Sequence, residues 1–470
     1  GENIAVLHSG LDKPARHEQW ERIASGELRV VIGARSALFA PIEDLGIIVV
    51  DEEHDGSFKQ DTAPRYHARD LALVRGRFES CPVVLGTATP SMESWANARR
   101  GKLELHELAE RVEARPMPAV EIVDMRAAEF TDESQIFSKV LAAELKANVK
   151  REEQSILLMN RRGFASFVMC RGCGERLACT SCSVSFTWHR ARKRLVCHYC
   201  DHVLPLPERC PSCDDDALTE VGSGTERVVD RLEELVPEAR IARMDRDTTR
   251  GHKLTTLLTA FRNREIDILV GTQMVAKGHD FPGVTLVGVL LAEMGLGLPD
   301  FRAAERTFAL LTQMAGRAGR AERPGRVLVQ TFMPDHPMLA FAKDHDAEGF
   351  LQEELLSRQA RGFPPCRHLA LFRVSGADDN GTWEAADRLR HQLHALATEL
   401  PEGPTRPEVL GPHPAPIERL RDRWRYQVLV NGADRVLLGR LLERGLATID
   451  ATKQPSHIRI DLDVDPHAFL

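Results

Sequence analysis

No stretch of apolar residues in this 470-residue chain is long enough to span a bilayer, and no secretory signal peptide is visible. Both absences predict a cytoplasmic protein with no membrane partner. A basic balance is missing too. The formal net charge of −7 excludes a globally cationic nucleic-acid binder and leaves only local patches for that role. No Gly-x-x-x-x-Gly-Lys-Ser/Thr sequence occurs anywhere, so no phosphate-loop lysine is available to β- and γ-phosphates. Position 1 is Gly rather than Met, and Asn3-Ile4-Ala5-Val6-Leu7 already reads as a strand, as expected for a piece of something longer. Cysteine is scarce outside one cluster: eight of ten lie between Cys170 and Cys213, and Cys81 and Cys366 stand apart as small apolar packing residues. The length suits about three domains at ~150 residues each, and 43% hydrophobic residues can fill their cores.

Leu45-Gly46-Ile47-Ile48-Val49-Val50 runs without a polar residue into Asp51-Glu52-Glu53-His54. Such a run reads as a central parallel strand with both faces covered. Acids at its carboxyl end lie where α/β proteins bind ligands. In a nucleotide hydrolase the first acid, here Asp51, holds Mg2+, and a second, here Glu52, positions the attacking water.

Strands and helices alternate around this segment. Residues 4–7, 28–32 and 82–85 are strand-like, and 14–25 and 68–77 are helical, the rhythm of a doubly wound sheet. One strand ends in Gly33-Ala34-Arg35-Ser36, offering backbone N–H groups, a guanidinium and a hydroxyl to a phosphate. Another ends in Gly86-Thr87-Ala88-Thr89-Pro90, which brings two hydroxyls near the acids. In this order the motifs resemble superfamily 2 helicases: residues 51–54 the DExH box, 86–90 motif III and 32–36 motif Ib. The wording is closest to the primosomal protein N′ (PriA) family of replication-restart helicases, through Leu7-His8-Ser9-Gly10-Leu11, Arg35-Ser36-Ala37-Leu38-Phe39-Ala40-Pro41 and residues 51–60. Phe58, Lys59, Gln60, Arg65, Tyr66 and His67 interleave aromatics with bases. This suits stacking on nucleic-acid bases, worth about 1–3 kcal/mol each. The resemblance implies a loop that couples DNA contact to hydrolysis, with Arg35, Ser36, Phe58, Lys59 and Tyr66 on the DNA side.

A second α/β unit starts near residue 118, with a buried strand at 156–160 and Arg161-Arg162-Gly163-Phe164-Ala165 resembling motif IV. The rhythm then breaks into four Cys-x2-Cys knuckles: Cys170/Cys173, Cys179/Cys182, Cys197/Cys200 and Cys210/Cys213. Two knuckles complete a closed four-cysteine site, so eight cysteines fit two zinc ions. A reducing compartment excludes disulfides. Val184, Phe186 and Trp188 alternate with polar residues, and Arg194-Leu195-Val196 returns after a basic turn. That hairpin brings the second and third knuckles together. The expected arrangement is nested, Cys179, Cys182, Cys197 and Cys200 inside Cys170, Cys173, Cys210 and Cys213, which is also what the resemblance implies. His198 is not needed as a ligand. Such a module binds DNA or a partner, and the sequence leaves that choice open.

The α/β rhythm resumes at Leu218 and contains Gly222-Ser223-Gly224-Thr225-Glu226-Arg227 before a helix. Behind a strand at 266–270, residues 271–281 resemble motif V, whose Thr272 and Lys277 would touch the DNA backbone. Gln313-Met314-Ala315-Gly316-Arg317-Ala318-Gly319-Arg320 resembles motif VI. Its glycines keep the turn narrow, and Arg317 and Arg320 offer forks to a γ-phosphate. An arginine so placed accelerates phosphoryl transfer by ~10³–10⁵. The implied nucleotide contacts are Asp51, Gln313, Gly316, Arg317 and Arg320, and the catalytic set is Asp51, Glu52, Glu53, His54, Arg317 and Arg320.

Residues 359–365 read as a linker into an α+β pattern, with strands at 369–374, 426–430 and 458–464 and helices at 383–399 and 433–449. Arg419, Arg421, Arg423, Trp424, Arg425 and Tyr426 concentrate base and aromatic character, suited to single-stranded nucleic acid or an acidic peptide. The resemblance makes this a fork-binding domain in which Arg423 and Gln427 hold the acidic tail of single-strand-binding protein. Two smaller departures are Ala34, where the family favours threonine, and Leu291, where it favours aspartate, with Glu293 the acid nearby.

The expected architecture is α/β. One RecA-like helicase lobe spans 1–115, without its Walker A start. A second spans 116–168 and 214–345, with a zinc-binding insertion at 169–213. An α+β C-terminal domain spans 346–470. The implied function is an ATP-dependent 3′-5′ DNA helicase, using ATP with Mg2+ and two Zn2+. It would act on forked and single-stranded DNA and engage single-strand-binding protein, primosome proteins and the replicative helicase loader. Without the phosphate loop this chain alone is expected to be inactive. The competing reading is an inactive fork-binding scaffold for primosome assembly.

Overall fold

The computed structural model describes residues 3–8, 10–108, 117–131, 136–159, 167–181, 184–189, 192–197, 200, 202–221, 225–244, 252–272, 281–298, 300–318, 325–451 and 455–469. The chain forms two compact units, Gly1–Ser91 and Met92–Leu470.

In the first unit β1 (Ile4–Leu7) leads through α1 (Lys13–Ala24) to β2 (Val30–Gly33), and β3 (Ile48–Val50) through α2 (Ala68–Glu79) to β4 (Val83–Leu85). β1 pairs with β2 and β3 with β4, both parallel. Asp12 starts α1 by accepting Ala15 N at 2.8 Å, with Pro14 in the first turn, where its missing N–H is harmless. The expected six-residue strand at 45–50 is corrected to three residues, because its ladder with β4 covers only Ile48 to Val50. Nor are both its faces covered: Val50 is buried whereas Val49 is 63% exposed. Val6, Val30, Ile32 and Val84 are exposed as well.

The second unit opens with α3 (Met92–Arg99), β5 (Ala119–Asp124), α4 (Lys139–Lys150), β6 (Gln154–Met159) and β7 (Phe167–Cys170). Three short strands follow, β8 (Thr187–His189), β9 (Arg194–Val196) and β10 (Val203–Pro205), and then β11 (Leu218–Val221). Next come α5 (Thr225–Leu235), β12 (Ile241–Met244), α6 (His252–Arg262), β13 (Ile268–Gly271), β14 (Val284–Leu290), α7 (Glu293–Leu296), α8 (Ala303–Ala315) and β15 (Arg326–Thr331).

Six of these strands form one sheet in the order β12-β13-β6-β14-β15-β5, parallel throughout. Every residue of β6 is buried, because alternate side chains feed two cores. Ile156 and Leu158 join Val287, Val289, Phe261, Phe308 and Met314 on one face. Leu157 and Met159 join Leu141, Leu145, Val228 and Leu232 on the other.

After α9 (Pro337–Lys343) and α10 (Ala347–Arg361), the chain builds β16 (His368–Gly376), α11 (Asp379–Thr398), β17 (Glu408–Leu420), β18 (Arg423–Gly432), α12 (Arg435–Ala451) and β19 (Arg459–Val464). These strands form an antiparallel sheet ordered β17-β18-β16-β19. Its inner face, with Ala370, Phe372, Val374 and Val428, packs on Leu389, Leu393, Leu438 and Leu441. The expected linker at 359–365 starts inside α10, which continues to Arg361 and stops at Gly362 with φ +68, a left-handed cap suited to glycine.

Candidate nucleotide site and zinc centre

The turn after β3 sorts its acids by environment. Asp51 is exposed, its Oδ1 accepts Glu52 N at 3.0 Å, and Glu52 stands at φ +50 with a half-buried side chain. Glu53 is 1% exposed. Its carboxylate accepts Ser91 N at 2.6 Å, Ser91 Oγ at 3.0 Å and Arg69 Nη1 at 3.2 Å. Arg69 Nη1 also donates to Ser91 Oγ at 2.6 Å. Glu53 therefore braces the acidic turn against α2 and the end of the 86–90 run, and all three partners are inward. Neither Arg69 nor Ser91 carries a local sequence signal; Ser91 lies one residue beyond the 86–90 run.

His54 makes the second tie. Its Nδ1 lies 2.7 Å from Thr87 Oγ1, while Thr87 Oγ1 donates to Thr89 O at 2.8 Å and accepts Thr89 N at 3.1 Å. With the hydroxyl proton given to Thr89 O, Thr87 accepts from His54, so Nδ1 carries the ring proton. Close approach is built into the backbone as well. Gly86 N donates to Val50 O at 2.8 Å, Glu53 N donates to Gly86 O at 3.1 Å, and a Cβ on Gly86 would stand 3.4 Å from Asp51 Oδ1.

Of the residues expected on the DNA side, Ser36 is exposed and Arg35, Phe58 and Tyr66 are half-buried. Lys59 is 5% exposed, with its backbone bridged to His67 and its carbonyl accepting Arg35 Nη1. It is the least accessible cation of this stretch. Tyr66 meets Phe39 edge-on, ring centroids 5.3 Å apart.

In the second unit α8 carries the half-buried Gln313 and continues through Gly316 to Arg317, which is buried and turned back by its N–H to Met314 O at 3.0 Å. Thr272 follows β13 and is half-buried. Lys277 and Arg320 lie outside the described residues, as do the motif IV residues 160–165, residues 222–224 and most of motif V. Leu291 stands at φ +53, a region Asn and Asp tolerate better than Leu. Glu293 is buried and accepts Thr331 Oγ1 at 2.8 Å and Phe332 N at 3.4 Å. Burial pushes its carboxyl up to about 7. A carboxyl so enclosed holds β15 to α7.

The knuckles project from a stem in which β7 pairs antiparallel with β11. Cys170, Cys173, Cys210 and Cys213 bring their sulfurs within 4.8 Å of one another, and Cys179, Cys197 and Cys200 form a second group; Cys182 lies outside the described residues. The Cys170–Cys213 and Cys173–Cys210 sulfurs are each 3.7 Å apart. Four thiolates at ~2.3 Å from a tetrahedral zinc stand about 3.8 Å apart, so this donor set fits the ion. The first knuckle turns at Gly174 (φ +79), where a Cβ would lie 1.7 Å from Phe332 O on the parent lobe. β8, β9 and β10 form the expected hairpin and its extension. Its far side docks on the C-terminal sheet. Phe186, Leu195 and Cys197 pack with Leu369, Leu371 and Leu429. His189 meets Glu418 there, and Arg192 Nη2 donates to Tyr426 Oη at 2.8 Å.

Arg423 opens β18 and shares a strand face with Gln427. Arg423 Nη2 donates to Ser375 O at 2.8 Å and His457 O at 2.7 Å. Gln427 is buried and donates to Phe469 O at 2.7 Å. Arg419 and Trp424 sit side by side at the hairpin tip, the guanidinium 5.7 Å from the ring centroid.

A parallel-sheet lobe that carries an arginine turn, opens into paired zinc-binding cysteine knuckles and leads into a four-stranded α+β domain defines a helicase-type α/β protein with a zinc module. Family models match along the chain: the PriA DNA helicase Cys-rich region domain over residues 179–205, the helicase conserved C-terminal domain over 219–322, and the primosomal protein N C-terminal domain over 359–467. The replication restart protein PriA of Bacillus subtilis is 44% identical across the whole chain, and that of Treponema pallidum is 40% identical over 99% of it. The chain belongs to the PriA family of replication restart proteins. It spans 58% of the length of the first relative and 69% of the second. RecG bound to a three-way DNA junction aligns over 76% of this chain and 36% of that one, at 14% identity and a TM-score of 0.40.

Proposed function

We propose that this chain is the motor, zinc and C-terminal portion of an ATP-dependent 3′-5′ DNA helicase of the cytoplasm that restarts replication at forked DNA. The observation carrying this reading is the division of labour after β3. Asp51 is outward at the strand end and Glu52 is half-buried with a carboxylate oxygen 3.7 Å from His54 Nδ1, while Glu53 and His54 lock the turn onto Ser91 and Thr87. In the proposed division of the chain, lobes span 1–115 and 116–168 with 214–345, the zinc module 169–213 and the C-terminal domain 346–470.

Asp51 would hold the Mg2+ of ATP and Glu52 orient the attacking water, with Glu53 positioning both acids. The bound metal supplies charge neutralisation at the phosphates. Gln313, Gly316, Arg317 and Arg320 would meet the nucleotide from the second lobe. Arg35, Ser36, Phe58, Tyr66, Thr272 and Lys277 would track single-stranded DNA, with Lys59 bracing Arg35 through its carbonyl. Two Zn2+ would occupy the nested cysteine groups, with Cys182 completing the inner one. Arg423 and Gln427 would engage the tail of single-strand-binding protein beside the primosome proteins and helicase loader, Gln427 doing so once its amide leaves Phe469 O.

The test is Glu52→Gln in the full-length protein. DNA-stimulated ATP hydrolysis should fall by at least a hundredfold, with fork binding in a gel-shift titration within twofold of wild type. Near-normal turnover would remove Glu52 from this role. A wild-type protein that binds forks but hydrolyses no ATP would instead favour the scaffold.

A further inference from the structure

Four successive backbone carbonyls after β19 are each met by a side chain from elsewhere in the second unit. Arg302 Nη1 donates to Pro466 O at 3.1 Å, and Arg306 Nη2 donates to His467 O. Arg373 Nη2 donates to Ala468 O at 2.9 Å, and Gln427 Nε2 donates to Phe469 O at 2.7 Å. A segment with no ladder of its own must find such donors where it is buried. Phe469 is 1% exposed, edge-on to Phe301 at 6.4 Å and grouped with Phe363, Leu371 and Leu429.

The donors come from two places. Arg373 and Gln427 belong to the outer face of the C-terminal sheet, on β16 and β18. Arg302 and Arg306 stand at the head of α8. Arg302 Nη2 also pairs with Glu93 of α3 at 2.7 Å, and Met92 N, the first amide of α3, donates to Glu305 of α8 at 3.0 Å. Thus the head of α8 is tied to the helix that follows the 86–90 run and, through residues 466–469, to the C-terminal domain. Its other end carries Gln313 and runs into Arg317.

We propose that residues 466–469 are a strap that holds α8 in register with the C-terminal sheet, and that Arg302 and Arg306 are positioning residues for the arginine turn. The functional half of this inference rests on the hydrolase reading given above. Loss of the strap leaves Arg302 its Glu93 partner and Arg306 its Asp300 partner at 2.9 Å. The lobe therefore stays folded while its tie to the sheet is cut.

The experiment uses full-length protein lacking residues 466–470, with Phe469→Ala as a milder second variant and Phe469→Leu as the conservative rescue. Hydrogen exchange across residues 303–315 should quicken about tenfold in the first two, with exchange in β6, β13 and β14 unchanged. In DNA-stimulated hydrolysis kcat should drop about tenfold and KM for ATP stay within twofold, the split expected when a transition-state group is misplaced. Phe469→Leu should restore both readouts. Wild-type exchange at α8 in both variants would overturn the strap. A kcat loss without quickened α8 exchange would overturn it equally. A wild-type protein without ATP hydrolysis would overturn the hydrolase reading alone, and the exchange measurement would still decide the strap.

Discussion

Glu53 and Glu293 are both 1% exposed, yet their partners differ. Glu53 faces the Arg69 guanidinium, whereas Glu293 accepts from a hydroxyl and a backbone amide. Buried with no cation in hydrogen-bond reach among the described residues, Glu293 is pushed up to about 7 from an ordinary 4.5. A carboxyl raised on folding contributes stability that is fully present below about 4.5 and lost as pH climbs through about 7. Glu293→Gln, neutral throughout, should flatten that slope. Denaturant midpoints should match wild type near pH 4.5, and the variant should be the more stable at pH 8, by on the order of 3 kcal/mol. A wild-type slope retained in the variant would place the titration elsewhere.

At the scale of elements, the long apolar runs were the most readable, because a strand buried on both faces needs no polar alternation; β6 and β13 are such strands. β17 was not readable. Its Gly411, Pro412, Pro414 and Pro416 suggest a loop, but it is an edge strand, where a residue without an N–H leaves no central ladder broken. β3 is shorter than its apolar run suggests, since apolarity says nothing of how far a neighbour extends. The hairpin of β8 and β9 leads to a grouping of Cys179 with Cys197 and Cys200 that the folded chain has among its described residues, whereas the bracing of Glu53 depends on Arg69 and Ser91, distant residues with no local signature. The knuckles carry little apolar core of their own, and structural zinc is worth about 10–16 kcal/mol in small modules. Chelation should release two zinc ions per chain in a colorimetric assay, one for each cysteine group. Exchange should rise across residues 170–213 and at Leu369, Leu371 and Leu429, while the six-stranded sheet stays protected. Cys173→Ser should leave one ion.

Over the whole second unit, a single guanidinium joins three parts. Arg358 of α10 is 1% exposed and pairs with Glu305 of α8 at 2.7 Å and with Glu354 at 2.8 Å. It also donates to Pro364 O at 3.3 Å, in the turn between α10 and β16. Burial alone would draw its proton affinity down, but the two carboxylates hold it above the ordinary arginine value. Removing one partner of such a buried pair typically costs about 3–5 kcal/mol, because the charges left behind have no compensation. Arg358→Ala should lower unfolding free energy by that amount, measured by denaturant titration, and Arg358→Ala with Glu354→Gln should recover part of it. A neutral effect would mean water reaches the site.

The stem of the zinc module has a different consequence, one of modularity. Cys170 and Leu218 are direct partners in the β7–β11 ladder, so the chain leaves the lobe and re-enters it at adjacent points. Everything between could be lifted out and the gap closed by a tight turn, with no strand of the parallel sheet re-threaded. What such a deletion would leave is a partly uncovered patch of Leu369, Leu371 and Leu429 on the C-terminal sheet, still bordered by Phe363 and Phe469. The insertion is thus easily separated from the lobe that carries it and hard to separate from the domain it covers, which is how a graft becomes permanent.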